Sequence, residues 1–492
     1  MTNPMHLVIA GAPLEASLLS AWFRNSYTPD DLTISLVTKA EDAKSRVHQL
    51  NFTNLGIITH LGLDEKAFMK LTGATFNLGT WFKGWQDSSH HYFQPFGTHG
   101  GPMDFVSFQH YLFKKRGFDK NVSYEDYSLS CVAASKCKFT HPKSDPTSIA
   151  STIGYSLAID EQATVKGLMG YLAETDVTFY DADISFVKAD GESIQTLELS
   201  DGTSVSGTMF IDCTGQARSL IKSLNGFEHK ACKRLGSYTV ADFTIKSDSE
   251  LKPYSEVHNT ASGWFRIDQS QAVTAGQFIG DESLSEQDVI NAVQAAVPNA
   301  DVSVTSIESF VSGRLENLWL GNCVAMGETA ANYEPLDCSP LHSLIAQSFR
   351  LLDLFPRSEN VELQRFELNR KAVWWHDNIR DFNLLRHAMR NSKQSLTKLI
   401  DTDLPSSLKH KLSLYQSNGQ VADSEEEPFH DDYLTATMIG LQLYPNKYNP
   451  LLESFDFAEL NTRFNAMRDK IGLASDIMPN HQDYLARYLS AN

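Results

Sequence analysis

The chain opens on a solid apolar run, His6 to Ala10, followed by a helical pattern from Leu14 to Arg24 and then by Leu32 to Val37, where apolar and polar residues alternate. An unbroken apolar run bounded by a turn reads as a covered strand, a period near 3.6 as a helix and a period of two as a strand, so the spacing predicts a βαβ opening. Val177 to Val187, Ile194 to Leu199 and Ser204 to Ile211 read as short strands, with Asp201-Gly202 marking a hairpin between the last two. Ser237 to Ile245 and Ala272 to Ile279 continue the strand signal, which predicts an antiparallel sheet inserted at about 175–310 into an α/β framework. From Leu341 the pattern turns helical, through LHSLIAQSFRLLDLF and AVWWHDNIRDFNLLRHAM. The acidic stretch DSEEEPFHDD, Asp423 to Asp432, reads as a solvated loop before a last helical region.

The length of 492 residues exceeds one small core and fits one large domain with insertions, or two closely packed ones. A hydrophobic content of 42% with 21% charged residues is that of a folded chain and excludes disorder as its main character. The net charge of −18 argues against general nucleic-acid binding, which needs clustered Lys and Arg. Six cysteines (Cys131, Cys137, Cys213, Cys232, Cys323 and Cys338) form no C-x-x-C pair and read as reduced thiols. His90, His91 and His376 lack ligand spacing, so surface or core roles are expected and no metal. With no long apolar segment and no signal-peptide pattern, a soluble cytoplasmic protein without a membrane partner is expected.

GAPLEA lies at the first strand-to-helix crossover, where a G-x-G-x-x-G turn holds a dinucleotide's pyrophosphate. The three glycine positions are Gly11, Pro13 and Ala16. Gly11 keeps the tight turn and Ala16 is small, but Pro13 adds a ring and removes an N–H from the anion site. Glu15 puts a carboxylate in the first helical turn, where the dipole favours an anion by about 0.3–1 kcal/mol and where a phosphate would compete with it. The acid that ends the second strand to hold a ribose is replaced by Thr38, with Glu41 and Asp42 slightly late. The same residues make a good ordinary helix start.

Two stretches are more specific: GLDEKAFMKLTGATFNLGTWFKGW (Gly62 to Trp85) with FQPFG (Phe93 to Gly97), and GNCVAMGETAANYEPLDCSPLHSLIAQSFRLLDLFP (Gly321 to Pro356). With SDPTSIASTIGYSLAID (Ser144 to Asp160), FIDCTG (Phe210 to Gly215) and IRDF (Ile379 to Phe382) in the same order, the chain resembles the flavin-dependent tryptophan halogenase family over nearly its whole length. The resemblance implies an α/β fold with α+β insertions: an FAD-binding, Rossmann-like monooxygenase-type core over 1–356 with an inserted antiparallel sheet, and a mostly helical substrate region over 357–492. It further implies FAD, chloride or bromide, a flavin reductase, an aromatic small-molecule substrate and a homodimer. In that chemistry a lysine activates hypohalous acid and a glutamate assists at the arene.

The matched positions depart from the family where it carries chemistry. The lysine slot is assigned to Trp81, with Lys83 as the candidate substitute on the same strand face. The glutamate slot holds Asp337, and the halide donors fall on Ser339 and on Pro340, which has no N–H. Asp337 or Ser339 could also cap the helix that Pro340 begins. Asp212, Gly215 and Gly327 keep flavin-site positions, and Glu328 replaces an aspartate. The Trp-x-Trp-x-Ile-Pro signature is represented by Gly263 to Asp268, with Trp264 or Phe265 in one tryptophan slot, and the Gly-Val-Gly-Glu-Ala-Thr element has no counterpart in Ser45 to Thr53. Trp374, Trp375 and Phe382 could line an arene pocket, but aromatic residues at helical spacing more often fill a core. Two readings stay open: a diverged enzyme performing FADH2/O2-dependent halogenation or a related oxidation, and a non-catalytic relative with weak FAD binding or none that acts as a binding or interaction protein.

Overall fold

The computed structural model describes residues 5–50, 55–101, 103, 105–246, 250–337, 339–356, 361–421 and 427–490. The first strand, Met5–Gly11, forms where Leu7, Val8, Ile9 and Ala10 follow one another, and all four are fully buried. It runs parallel to Leu32–Val37 on one side and to Met209–Cys213 on the other. Thr178–Tyr180, Cys323–Ala325 and Trp319–Leu320 complete a six-stranded sheet. Parallel neighbours need a crossover, and helix Pro13–Ser26 supplies it, with Pro13 in its first turn where no intrahelical bond is lost.

The bend between that strand and helix depends on one glycine. Gly11 has φ +138, and a Cβ there would stand 2.2 Å from the carbonyl carbon and oxygen of Cys213. The Ala12 N–H donates to the same carbonyl at 2.9 Å. Gly11 is thus required by the close approach of two strand ends, whether or not a ligand lies beside them.

A seven-stranded sheet runs in the order Asp301–Val311, Ser237–Lys246, Thr274–Gly280, Gly263–Gln269, Ser255–Asn259, Gly79–Lys83, His91–Pro95. The expected antiparallel sheet is present, but two of its strands come from residues 79–95. Ser255–Asn259 takes Gly79–Lys83 as a parallel neighbour, and that strand pairs antiparallel with His91–Pro95. Two predicted strands are each divided between sheets. Val177 to Val187 splits into Thr178–Tyr180 and Ile184–Ala189, and Ser204 to Ile211 into Ser204–Ser206 and Met209–Cys213. The hairpin closes as expected, Ile194–Leu199 pairing with Ser204–Ser206 around Gly202 at φ +86.

One face of the large sheet buries Phe82, Tyr92 and Trp264 against Phe382, Leu385 and Tyr415 of the helical region. The opposite face packs Phe243, Phe265 and Phe278 against Val289 and Val293 of helix Glu286–Ala296. Helices Pro340–Asp353 and Glu362–Ala388 follow the parallel sheet, bearing out the helical reading from Leu341. The division expected after Pro356 adjoins residues 357–360, which lie outside the described residues, as do Cys338, residues 51–53 of the Ser45 to Thr53 stretch, and 423–426 of the acidic stretch. Asp431 and Asp432 open helix Asp431–Gly440. The described cysteines are unbonded. Among the described residues no group of His, Cys, Asp and Glu could hold a metal, and no helix is long and apolar enough to cross a membrane.

Gly11→Ala is expected to cost about 2–5 kcal/mol, from overpacking and a φ that side chains rarely adopt. A urea midpoint unchanged from that of the parent chain would contradict the close approach.

Candidate functional site

At the C-terminal ends of the parallel strands lies a cleft of about 510 Å³, lined by Gly11, Pro13, Thr38, Gly215 and Glu328 among others. This is where open α/β sheets hold ligands. Most of its backbone donors are already engaged. Ala12 N–H goes to Cys213, Thr38 N–H to Tyr180, Thr214 N–H to the Asp212 carboxylate at 2.9 Å and Gly215 N–H to Thr329 Oγ1 at 2.8 Å. Ser219 N–H donates to Thr214 Oγ1 at 2.7 Å, and Gly327 N–H to Gln347 Oε1 at 3.2 Å. Pro13 has none to offer. Asp212, fully buried, also accepts from Leu220 and Ile221, so it ties the strand end to the following turn. Thr38 donates its hydroxyl to Gly11 O at 2.7 Å. The cleft's lysines are paired across it, Lys39 with Asp183 at 3.1 Å and Lys44 with Glu308 at 2.6 Å.

Ala16 is buried in the helix core. Glu15, one residue earlier, is buried too, with its carboxylate laid over Gly327, where a Cβ would meet Glu15 Oε1 at 2.4 Å. Gly327 adopts φ +58, which frees the backbone for that approach. Glu15 Oε1 takes a long hydrogen bond from Glu328 N–H at 3.4 Å, and Oε2 has no partner among the described residues. Desolvation and then the neighbouring Glu328 push the Glu15 carboxyl well above its usual range. Burial also raises Glu328, against the pull of Arg46.

A second polar cluster lies between the large sheet and the helical region. Asp337 accepts from Arg386 through both oxygens, Nε at 2.8 Å and Nη2 at 2.7 Å, and from Tyr433 Oη at 2.7 Å. The Arg386 side chain is 0% exposed and that of Asp337 2%. Arg386 stands 4.2 Å over the Phe82 ring and 5.2 Å from Phe382, and it donates to Tyr92 Oη. Burial pushes Asp337 up to about 7, against Tyr433 and the charge of Arg266, and lowers Arg386 to about 10. Each ion resists charge alone, and the bidentate fork offsets this. Beside it, buried Arg266 pairs with Asp268 at 2.7 Å and donates to Leu336 O and Gln49. Asp268 accepts from Ser255, which accepts from Asn77 at 2.8 Å.

Strand alternation decides which candidates share this cluster. Phe82 faces it, stacked on Tyr92 at 4.9 Å. Trp81 and Lys83 project from the opposite face: Trp81 packs on Phe93 at 5.0 Å, and Lys83 pairs with Glu256 at 3.1 Å. The structure therefore brings neither to Asp337. Trp264 and Asp268 lie on the cluster's face, where Trp264 Nε1 donates to Glu334 Oε2 at 2.9 Å, whereas Phe265 enters the other core. Of the two caps weighed for helix Pro340–Asp353, Ser339 is the one used, accepting from His342 N–H at 3.2 Å ahead of Pro340. Sequence reasoning missed Arg386, Arg266, Tyr433 and Asn77. Arg386 had a signal: it lies four residues after Phe382, on the same helix face, inside an apolar run.

Comparisons with known proteins converge. The family model described as tryptophan halogenase matches residues 6–456. A 7-chloro-L-tryptophan 6-halogenase, KtzR, of Kutzneria sp. (strain 744) is 22% identical, with 98% of this chain and 99% of the relative covered. The tryptophan 6-halogenase SttH of Streptomyces toxytricini is 21% identical over 98% of each. Among solved structures, BrvH, a flavin-dependent halogenase from Brevundimonas sp. BAL3, superposes with a TM-score of 0.89 at 24% identity over 99% of both chains. Xcc4156, a flavin-dependent halogenase from Xanthomonas campestris, does so with 0.87 at 25% identity, over 100% of this chain and 99% of the other.

Truncating Arg386 would strand a buried carboxylate, so Arg386→Ala is expected to cost about 3–5 kcal/mol. Asp337→Ala combined with Arg386→Ala should cost clearly less than the two single losses added together, as read from denaturant melts. Strict additivity would show that the fork is not coupled.

Proposed function

Because the chain belongs to the tryptophan halogenase family, we propose that it keeps this fold without its halogenation chemistry and acts as a binding or interaction protein. The observation that carries this reading is the state of Asp337. A carboxylate that is to stabilise a cationic arene and take its proton must have a free oxygen edge toward the substrate. Both oxygens of Asp337 are held by Arg386, and one also by Tyr433. The aromatic rings Phe82, Tyr92 and Phe382, which could flank an arene, flank the Arg386 guanidinium.

Among the described residues, the cations that touch this cluster are guanidinium groups. An ammonium presents a compact donor that can lose a proton, whereas a guanidinium stays charged and has no lone pair to capture an electrophile. Arg386 and Arg266 are the cations placed near Asp337, and each is forked onto an aspartate. Lys83 is committed to Glu256 on the other face. Nor do the cleft's residues fit the pyrophosphate of FAD: the N–H groups of Ala12, Thr38, Thr214 and Gly215 are engaged, Pro13 offers none, the Glu15 carboxylate lies over Gly327, and Glu328 lines the cleft.

Supplied with a flavin reductase, FAD, O2 and chloride or bromide, the protein is expected to give no halogenated product from free tryptophan or a panel of indoles by mass spectrometry. Trp81→Lys should leave this outcome unchanged, because its new ammonium would point away from Asp337. A halogenated product from the parent chain would sink the reading.

A further inference from the structure

We propose that Glu15 and Glu328 take, from within the chain, the place of a dinucleotide's phosphates, and that their carboxyls close the cleft to anionic nucleotides. The inference deepens the reading above and rests on it. Helix Pro13–Ser26 points its N-terminus at the cleft, the end at which the helix dipole attracts an anion. The anion there is Glu15, in the first turn and buried. Its carboxylate reaches the backbone at Gly327 because that position has no Cβ and adopts φ +58. Next in the chain, Glu328 lines the cleft and lies 3.6 Å from where a Cβ on Gly215 would be. The two acids therefore bracket the space between the crossover helix and the turn after Met209–Cys213.

What faces the pair does not neutralise it. Arg46 is forked onto Asp242 at 2.7 Å from both Nε and Nη2. His48 is paired with Glu161 at 2.8 Å, and Lys44 with Glu308. Cys213, on the neighbouring strand end, is a buried thiol, and Gln347 is spent on Gly327 and His376. Those three cations each arrive with their own acid, whereas Arg218, on the turn after Met209–Cys213, gives its guanidinium to the carbonyls of Thr329 and Gln216, and its Nη2, like Glu15 Oε2, is left without a partner among the described residues. A phosphate entering here would meet the Glu328 carboxyl in the cleft wall, with the buried Glu15 carboxyl over Gly327 next to it, and like charges repel strongly at close range in a desolvated site.

Burial holds both carboxyls above their usual range, and the charge of Glu328 adds to this at Glu15, so the pair gains its charge at higher pH than ordinary carboxylates do. Exclusion of phosphates should therefore strengthen with pH. The same sign holds for stability. A carboxyl that binds its proton more tightly folded than unfolded loses stability as pH rises above the ordinary carboxylate range, so Gln at either position should match or exceed the parent's melting temperature at pH 8.

The test is a titration with FAD followed by flavin fluorescence and calorimetry, on the parent chain, Glu15→Gln, Glu328→Gln and the double variant. The expected result is that the double variant binds FAD at least about tenfold more tightly than the parent at pH 7.5, equivalent to about 1.4 kcal/mol. The parent should also bind more tightly at pH 5.5 than at pH 8, and the double variant should lose that dependence. A folded double variant with the parent's affinity at both pH values would overturn the proposal. Should the double variant not fold, parent affinity that is flat or rises between pH 5.5 and 8 would overturn it equally. Halogenated product would overturn the functional reading, whereas this titration bears on the carboxyl pair.

Discussion

A charged side chain taken out of water must find its counter-charge inside the protein, and this constraint shapes both polar regions of the molecule. Arg386 with Asp337, Arg266 with Asp268 and Arg46 with Asp242 each meet it by a fork of two hydrogen bonds. A fork satisfies the carboxylate but uses both oxygens, which are the atoms a catalyst would aim at its substrate. The helical region docks on the sheet face that carries these pairs, so the closed inventory around Asp337 is also part of how the two layers hold together.

The cleft at the crossover follows the same accounting with a different result. The amides of Ala12, Thr38, Thr214, Gly215 and Ser219 are absorbed by Asp212, Thr214 Oγ1, Thr329 Oγ1 and neighbouring carbonyls, which ties the strand ends together. Glu15 and Glu328 are the exception, because no cation forks onto them. Burial raises both above the usual carboxylate range, which favours their protonated forms. Two regions in one fold thus treat their acids differently, with forked ion pairs in one and carboxyls that no cation forks in the other.

Much of the fold was legible because the signals were local. The unbroken run Leu7 to Ala10, Pro13 in the first turn and the Asp201-Gly202 hairpin each encode their element within a few residues. The failures were nonlocal. Val177 to Val187 reads as one strand, yet its halves join different sheets, and nothing in its own residues says so. Gly79–Lys83 joins a sheet whose other members lie beyond residue 237, apart from its hairpin partner. At the site, Asp337 was visible through its motif, but its partner Arg386 comes 49 residues later, and only packing brings the two together. Alternation along Gly79–Lys83 was legible in principle; which face looks toward Asp337 was not.

On the proposed reading, the order in which changes would have to be reversed accounts for a halogenase fold kept without halogenation. Freeing Asp337 by removing Arg386 leaves a buried acid whose desolvation already pushes it up to about 7, so the freed group would be partly protonated and a poor anion. Placing a lysine at Trp81 adds a charge on the wrong side of the strand, next to Phe93 in a hydrophobic layer. A lysine replacing Phe82 would reach the right face but would meet the Arg386 guanidinium and remove the ring beneath it. None of these three substitutions places an ammonium beside an open carboxylate, and breaking the Asp337–Arg386 pair costs a sizeable part of a typical folding stability of about 5–15 kcal/mol. The closed arrangement is therefore held by folding itself.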